Sequence, residues 1–217
     1  MTAQPSQGRF AEARESLVES QLRPEGVIDA ALLAAMGSVE RERFVPEGLA
    51  AIAYSDRAVP LARGRALMPP AALAQLIQAL DPAPGARVLV VGAGTGYSSA
   101  ILGAMGARVS AVESDPDLAG IARANGIDVV QGPLDAGHHA GVSFDLILID
   151  GAVEEEVPEA IVAQLRDGGR IATGLIENGV GRLAVGTRAG KGFGLRSFAD
   201  AAVSVLPGFA RVRSFVF

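Results

Sequence analysis

Apolar residues from Phe10 to Leu22 recur at helical spacing, and Pro24 closes the run. A second run of the same period covers Val27–Met36, and "RERFVPEGLAAIAY" predicts a helix or helix-loop closing near Tyr54. The pattern then breaks over residues 55–69. Within this stretch "PLARGRALMPP", residues 60–70, packs two arginines, one glycine and three prolines around a short apolar centre, which predicts a loop. Helical spacing returns over Ala71–Leu80 and ends at "DPAPG".

Beyond this point the period changes. "RVLVV" (87–91) is a continuous apolar run, as a strand buried on both faces requires. "GAGTG" predicts a turn and "YSSAILGAM" a helix. "RVSAV" (108–112), "IDVVQG", "FDLILID" (144–150) and "GRIATGL" predict four more strands, with "DPDLAGIARAN" and "VPEAIVAQL" as helices between them. Strands alternating with helices imply a parallel sheet covered on both faces. The tail differs: "GRLAVGT", "GLRSF" and "FARVRSFVF" read as strands without intervening helices, hence an antiparallel edge. The expected architecture is α/β, a Rossmann-like mostly parallel sheet in the order 3-2-1-4-5 with antiparallel edge strands. An N-terminal helical cap packs on it, and residues 1–217 form one domain: 1–80 cap and loop, 81–217 core.

Composition narrows the function. Aromatics make up 5% of the 217 residues with no Trp, the net charge is −5 and the pI is near 5.1, which argues against a nucleic-acid binder. Cys is absent, so disulfides, thiolate nucleophiles and Cys-zinc sites are excluded, and a reducing compartment fits. No window reaches the length of a membrane span and the first residues lack a signal peptide's pattern, so the default expectation is a cytoplasmic protein. His138 and His139 read as a surface turn, and no metal is expected.

The turn "VLVVGAGTGYSS" carries the chemistry. Gly92, Gly94 and Gly96 sit between a buried strand and a helix, where glycine permits a sharp turn and close approach of a ligand to the backbone. Glu113 ends the next strand, 21 residues after Gly92, where a carboxylate can accept hydrogen bonds from both ribose hydroxyls. A nucleoside-containing cofactor follows. Dinucleotide enzymes place the third glycine one residue later, and Tyr97 is bulky where they need Gly or Ala. The G-x-G-x-G form is that of S-adenosylmethionine methyltransferases.

The chain resembles the protein-L-isoaspartate O-methyltransferases nearly end to end. "LVESQLRPEGVIDAALLAAMGSVERERFVPEGLAAIAYSDRAVPL" is similar to that family's N-terminal signature through Gln21, Leu22, Arg23, Gly26, Arg41, Phe44, Val45, Pro46, Ala53, Tyr54 and Asp56. "VGAGTGYSSAIL" resembles its "IGTGSGYQAAVL", and "VSVLPGF" its late strand. The resemblance implies S-adenosylmethionine as cofactor and, as substrate, a protein or peptide with an acidic acceptor, the isoaspartyl carboxylate of damaged proteins. It also implies that residues 60–70 lie over the site of methyl transfer. Pro60, Gly64 and Pro70 match the family's loop, but Arg65, Ala66 and Met68 stand where it has Gln, Thr and Ser, so the acceptor-binding hydroxyls are gone. Pro133 replaces the Asp that helps hold adenine, and Asp135 can substitute for it. Asp150 stands at the end of the fourth core strand, at the rim where such sheets bind ligands.

Methyl transfer from a sulfonium to an ionised carboxylate needs alignment and exclusion of water, not a general base. The candidate catalytic residues are therefore Arg65, Met68 and Asp150, and the candidate cofactor residues Gly92, Gly94, Gly96, Glu113 and Asp135. Arg63 and Arg65 can pair with an acidic acceptor. Three alternatives stay open at this point: a methyltransferase with another acceptor, a catalytically silent S-adenosylmethionine-binding protein, and an NAD(P) oxidoreductase.

Overall fold

The computed structural model describes residues 7–139, 141–154 and 156–211. The first apolar run forms helix α1 (Gln7–Leu17), continued by a π-helical turn over Val18–Leu22. Helix α2 (Ala30–Ser38) is capped by Asp29, whose side chain accepts a hydrogen bond from the Leu32 amide at 2.7 Å. The segment expected as helix or helix-loop up to Tyr54 forms two 3-10 turns, Arg41–Phe44 and Glu47–Ile52. Pro46 separates them, since proline disfavours a helical residue before it.

The 55–69 stretch is more than a connector. Val59–Pro60 (β1) and Ala66–Leu67 (β2) pair antiparallel, so the loop is a short hairpin. Helix α3 (Pro70–Leu80) follows, and the described core continues as β3 (Arg87–Val91), α4 (Tyr97–Ala104), β4 (Arg108–Glu113), α5 (Pro116–Ala124), β5 (Val129–Gln131), β6 (Phe144–Glu154), α6 (Glu159–Val162), β7 (Leu165–Glu177), β8 (Val180–Thr187) and β9 (Leu195–Asp200). The sheet order is β5-β4-β3-β6-β7-β8-β9. The first five strands are parallel, and β8 and β9 add antiparallel. The expected 3-2-1-4-5 order with an antiparallel edge is therefore present. Of the third tail strand, residues 209–211 form none, and the rest of "FARVRSFVF" lies outside the described residues. Helix α6 is also shorter than its apolar run suggests.

The period of two along β3 sorts the core. Val88 and Val90 join Leu146 and Leu148 in a cluster with the N-terminal helices, α3 and α4. Leu89 and Val91 point the other way and pack with Ile147, Ile149, Ile161, Leu206 and Phe209. The cap thus lies on one face, and the second is covered by α6 with its flanking residues and by the segment after β9. Among the described residues no helix is long and apolar enough to cross a membrane.

Candidate functional site

Sheet register builds the site. Val91 pairs with Val112 on one side and Ile149 on the other. One residue further on, Gly92, Glu113 and Asp150 stand side by side, just past β3, at the end of β4 and inside β6, which runs on to Glu154 instead of ending at Asp150 as its apolar run suggests. This is also where the chain reverses its direction of travel across the sheet, the crevice in which open α/β sheets bind ligands. The β6–β7 pairing jumps from Ile149 to Ala152, so Asp150 and Gly151 form a bulge that turns the carboxylate out of the ladder.

Glu113 is fully buried and organises the glycine turn. Its Oε2 accepts from the Gly94 amide at 2.7 Å. Its Oε1 accepts from the amides of Ser114 at 2.8 Å and Asp115 at 3.0 Å, and from Arg65 Nη1 at 2.7 Å. Arg65 Nη2 donates to the Gly92 carbonyl at 2.9 Å. The hairpin loop is therefore docked onto the glycine turn. A Cβ on Gly94 would lie 3.2 Å from Leu61, and one on Gly92 only 2.8 Å from Leu206 and 3.1 Å from Arg65.

Gly96 has a different task from the other two. With φ of +99°, its missing Cβ would fall 2.5 Å from Ile127 and 3.5 Å from Ala122, so it serves the seating of α4 rather than the cleft. Gly96→Ala should lower the unfolding free energy by about 1–2 kcal/mol, combining left-handed strain with the clash. Urea unfolding reads this out, and an unchanged midpoint would mean that Ile127 gives way freely.

Asp150 is buried with no hydrogen-bond partner for Oδ1, and the Ser98 and Ser99 hydroxyls are likewise buried without partners. Unmet buried polar groups cost about 1–3 kcal/mol each, so this end of the sheet has hydrogen-bonding capacity that a polar ligand can meet. Burial pushes the Asp150 carboxyl up to about 6, the neighbouring Ser98, Arg65 and Arg41 act against that rise, and Glu113 adds to it. Because the folded pKa exceeds the unfolded value of 3.8, the native state keeps a proton between about pH 4 and 6 that the unfolded chain has released. Stability contributed by this group is complete below that window and lost as pH rises through it. Asp150→Asn should exceed wild type by about 1–3 kcal/mol at pH 8 and match it near pH 4. Equal stability at both would show that Asp150 titrates normally.

Arg41 supports the loop from behind. It is wholly buried, donates from Nε to the Ala53 carbonyl and from Nη2 to the Met68 carbonyl, both at 2.7 Å, and its guanidinium lies 4.6 Å from the Tyr97 ring centroid. Asp56 accepts from the Ala71 amide at 3.2 Å, fixing the start of α3. Tyr54 bonds Glu42, and Arg14 donates to both. Sequence matching brought out Arg41, Tyr54 and Asp56 only as motif positions; their work as loop anchors depends on carbonyls and partners distant in sequence. Leu61 and Leu206 were not singled out at all, since a lone leucine carries no sequence signal of its neighbours.

The remaining expected residues separate. Met68 is buried and lines a cavity of about 20 Å³ with Arg65, Asp150 and Leu206, roughly the room one water needs. Asp135 is exposed in a 3-10 turn after β5, beside Gly208, whose Cβ position is 3.3 Å from the carboxyl carbon. The His138 and His139 rings meet edge to face, and the His138 amide donates to Gln164. Arg63 pairs with Asp115 and Asp117 at 3.0 and 3.3 Å.

These residues suit a nucleoside cofactor with a ribose diol and an amino-acid end. Glu113 can take the diol, the glycine turn can admit the amino-acid part, and the partnerless oxygens of Asp150, Ser98 and Ser99 can meet its polar groups. The same space is held by Arg65, Leu61 and Leu206 in this conformation, so loop movement must accompany binding.

Residues 12–192 match the sequence profile of the protein-L-isoaspartate(D-aspartate) O-methyltransferase (PCMT) family. A protein-L-isoaspartate O-methyltransferase of Methylorubrum populi is 44% identical over 165 residues, spanning 73% of this chain and 77% of the relative. One from Methanoculleus marisnigri is 37% identical over 165 residues, spanning 73% and 74%. Among solved structures, a protein-L-isoaspartate O-methyltransferase aligns with a TM-score of 0.76 at 22% identity over 90% of this chain and 66% of that one. A Plasmodium falciparum chain assigned to the same activity, in complex with S-adenosyl-L-homocysteine, aligns with a TM-score of 0.73 at 23% identity over 89% and 97%. The structural alignments establish the shared fold.

Proposed function

The chain belongs to the protein-L-isoaspartate(D-aspartate) O-methyltransferase family, and from that premise we propose how it works: as an S-adenosylmethionine-dependent enzyme that methylates the carboxylate of isoaspartyl residues in damaged proteins. One observation carries the assignment of the cofactor site. The Glu113 carboxylate at the end of β4 is tied to the glycine turn through the Gly94 amide, so the acidic group and the turn form a single cradle.

When bound, the cofactor supplies an activated methyl group on a sulfonium centre. The protein's part is placement. Glu113 accepts the ribose hydroxyls, and Gly92 and Gly94 leave room for the methionine portion. Asp150, turned out by the bulge, orients the amino group or the acceptor. The 60–70 loop, anchored at its rear by Arg41, closes over the cleft and excludes water. No side chain needs to remove a proton, because the acceptor carboxylate is already ionised near neutral pH. Residues 1–80 supply cap and loop, residues 81–217 the cofactor core, and the whole acts as one unit. The composition fits a cytoplasmic setting and a protein or peptide substrate in preference to nucleic acid.

The assay is transfer of labelled methyl from S-adenosylmethionine to an isoaspartyl peptide, with the normal aspartyl peptide as control. Base-labile incorporation into the isoaspartyl peptide alone is expected. Ala66 and Met68, which stand where the resembled family has hydroxyls, favour a second reading, a methyltransferase with another acceptor. Tight S-adenosylhomocysteine binding without any turnover of the peptide would select it.

A further inference from the structure

Arg65 occupies the carboxylate that the ribose must use. We propose that Arg65 is shared between two carboxylates: it bonds Glu113 in the cofactor-free protein, is displaced when the ribose takes Glu113, and then pairs with the carboxylate of the acceptor. This rests on the methyltransferase reading above.

The geometry singles out Arg65 as the displaceable donor. Glu113 Oε1 already receives three N–H groups within 3.0 Å, from Arg65, Ser114 and Asp115. The whole carboxylate offers about four lone-pair sites, and with the Gly94 amide on Oε2 four N–H groups already use them, so the ribose hydroxyls cannot simply be added. Two of the three donors on Oε1 are backbone amides at the β4–α5 junction and are fixed by the fold. Arg65 alone sits on a movable element, a hairpin whose two strands have two residues each.

The loop around it is shaped for this contact. Arg63 and Gly64 follow one another with φ of +51° and +75°, a tight left-handed turn that presents Arg63 and Arg65 to the acidic start of α5. Arg63 reaches Asp115 and Asp117 at the rim while Arg65 reaches Glu113 beneath. Leu61 from the same loop covers Gly94. The three contacts close the cleft together and must open together.

Once displaced, the guanidinium stays close to the cleft, which it lines together with Met68 and Asp150. A buried guanidinium left unpaired is strongly unfavourable, whereas a planar carboxylate satisfies it through two parallel hydrogen bonds. An acceptor carboxylate meets that need only after the ribose has released Arg65. Binding is thereby ordered, cofactor first and acceptor second. By linkage the acceptor in turn strengthens cofactor binding.

The test measures two affinities that should move in opposite directions. S-adenosylhomocysteine binding is followed by calorimetry for wild type, Arg65→Ala, Arg65→Gln and Arg63→Ala. A labelled isoaspartyl peptide is then titrated into each S-adenosylhomocysteine complex. Arg65→Ala should bind S-adenosylhomocysteine about 10- to 100-fold more tightly, because no charged hydrogen bond has to be broken first. Arg65→Gln, which keeps a neutral donor at that position, should move the same way by less. Arg63→Ala should gain about two- to fivefold, the range of an exposed ion pair. The peptide should bind the Arg65→Ala complex at least about tenfold more weakly than the wild-type complex. A residue that merely supported the fold would weaken both. Unchanged or weaker S-adenosylhomocysteine binding in folded Arg65→Ala and Arg65→Gln would overturn the proposal, as would unchanged peptide binding. Failure of folded wild type and all variants to bind S-adenosylhomocysteine is a different pattern, and it would sink the methyltransferase reading itself.

Discussion

Glu113→Ala is expected to lower the unfolding free energy by about 2–4 kcal/mol and to weaken S-adenosylhomocysteine binding by about tenfold. The stability loss has several sources. The amides of Gly94, Ser114 and Asp115 lose their acceptor, and Arg65, with a side chain only 7% exposed, loses its counter-charge. The loop can swing outward and hydrate Arg65, which keeps the cost below that of a permanently trapped charge. The binding loss is partly masked, since the change removes both the ribose acceptor and the guanidinium that competes for it. In an Arg65→Ala background the competitor is already gone, so there Glu113→Ala should cost more than tenfold. Urea unfolding and calorimetry on the two single variants and the double variant form a complete cycle. Stability losses that add within about 0.5 kcal/mol would mean that the two side chains do not act as a pair.

The contrast between Glu113 and Arg65 shows what the sequence could reveal. Glu113 was legible because its role follows from distance along the chain: it ends the strand after a glycine turn, and the period of the apolar runs places that strand next to β3. The sheet order was legible for the same reason, as β3 through β7 read as apolar runs separated by helical spacing and turn residues. Nothing local marks Arg65 as the partner of Glu113, which lies 48 residues away. The β1–β2 hairpin has two residues per strand, too few for a period, and much of what holds it comes from tertiary contacts such as that ion pair. The bulge at Asp150 and Gly151 is likewise invisible, because the apolar run "FDLILID" reads as a strand that ends at Asp150, whereas the strand continues to Glu154 past a slip that only the pairing with β7 shows. The cover that Leu206 places over Gly92 and Gly151 joins segments more than fifty residues apart. Residues 41–54, expected as a helix or helix-loop, take the second form. The apolar pattern is present, but Pro46 makes a continuous helix unfavourable, and two 3-10 turns result.

Replacing Ala66 by Thr together with Met68 by Ser is expected to raise turnover of an isoaspartyl peptide by about ten- to a thousandfold. Ala66 and Met68 lie two residues apart on an extended segment, so their side chains share a face, and both line the cleft that contains Asp150. The Met68 carbonyl is held by Arg41 at 2.7 Å, so a serine there would present its hydroxyl from a fixed backbone position. A hydrogen bond to a charged group contributes about 1.5–3 kcal/mol, and two such bonds made fully in the transition state would give roughly a hundred- to ten-thousandfold. The gain is smaller because Arg65 already supplies part of the attraction for the acceptor. Shortening Met68 also opens the small cavity beside Asp150, at a stability cost of about 2–3 kcal/mol for a buried methionine. Rates must therefore be compared well below the unfolding temperature, with S-adenosylhomocysteine affinity measured alongside. If affinity holds and the rate rises, the missing hydroxyls limit the natural protein on this acceptor. If affinity holds and the rate stays flat for wild type and variant alike, the loop is matched to another carboxylate, with Arg65 as its main contact. Adding Arg65→Ala to the double variant separates these cases further. With hydroxyls in place the loss of Arg65 should cost less in kcat/KM than it does in the wild-type loop, because the two sets of contacts serve the same carboxylate and their contributions overlap.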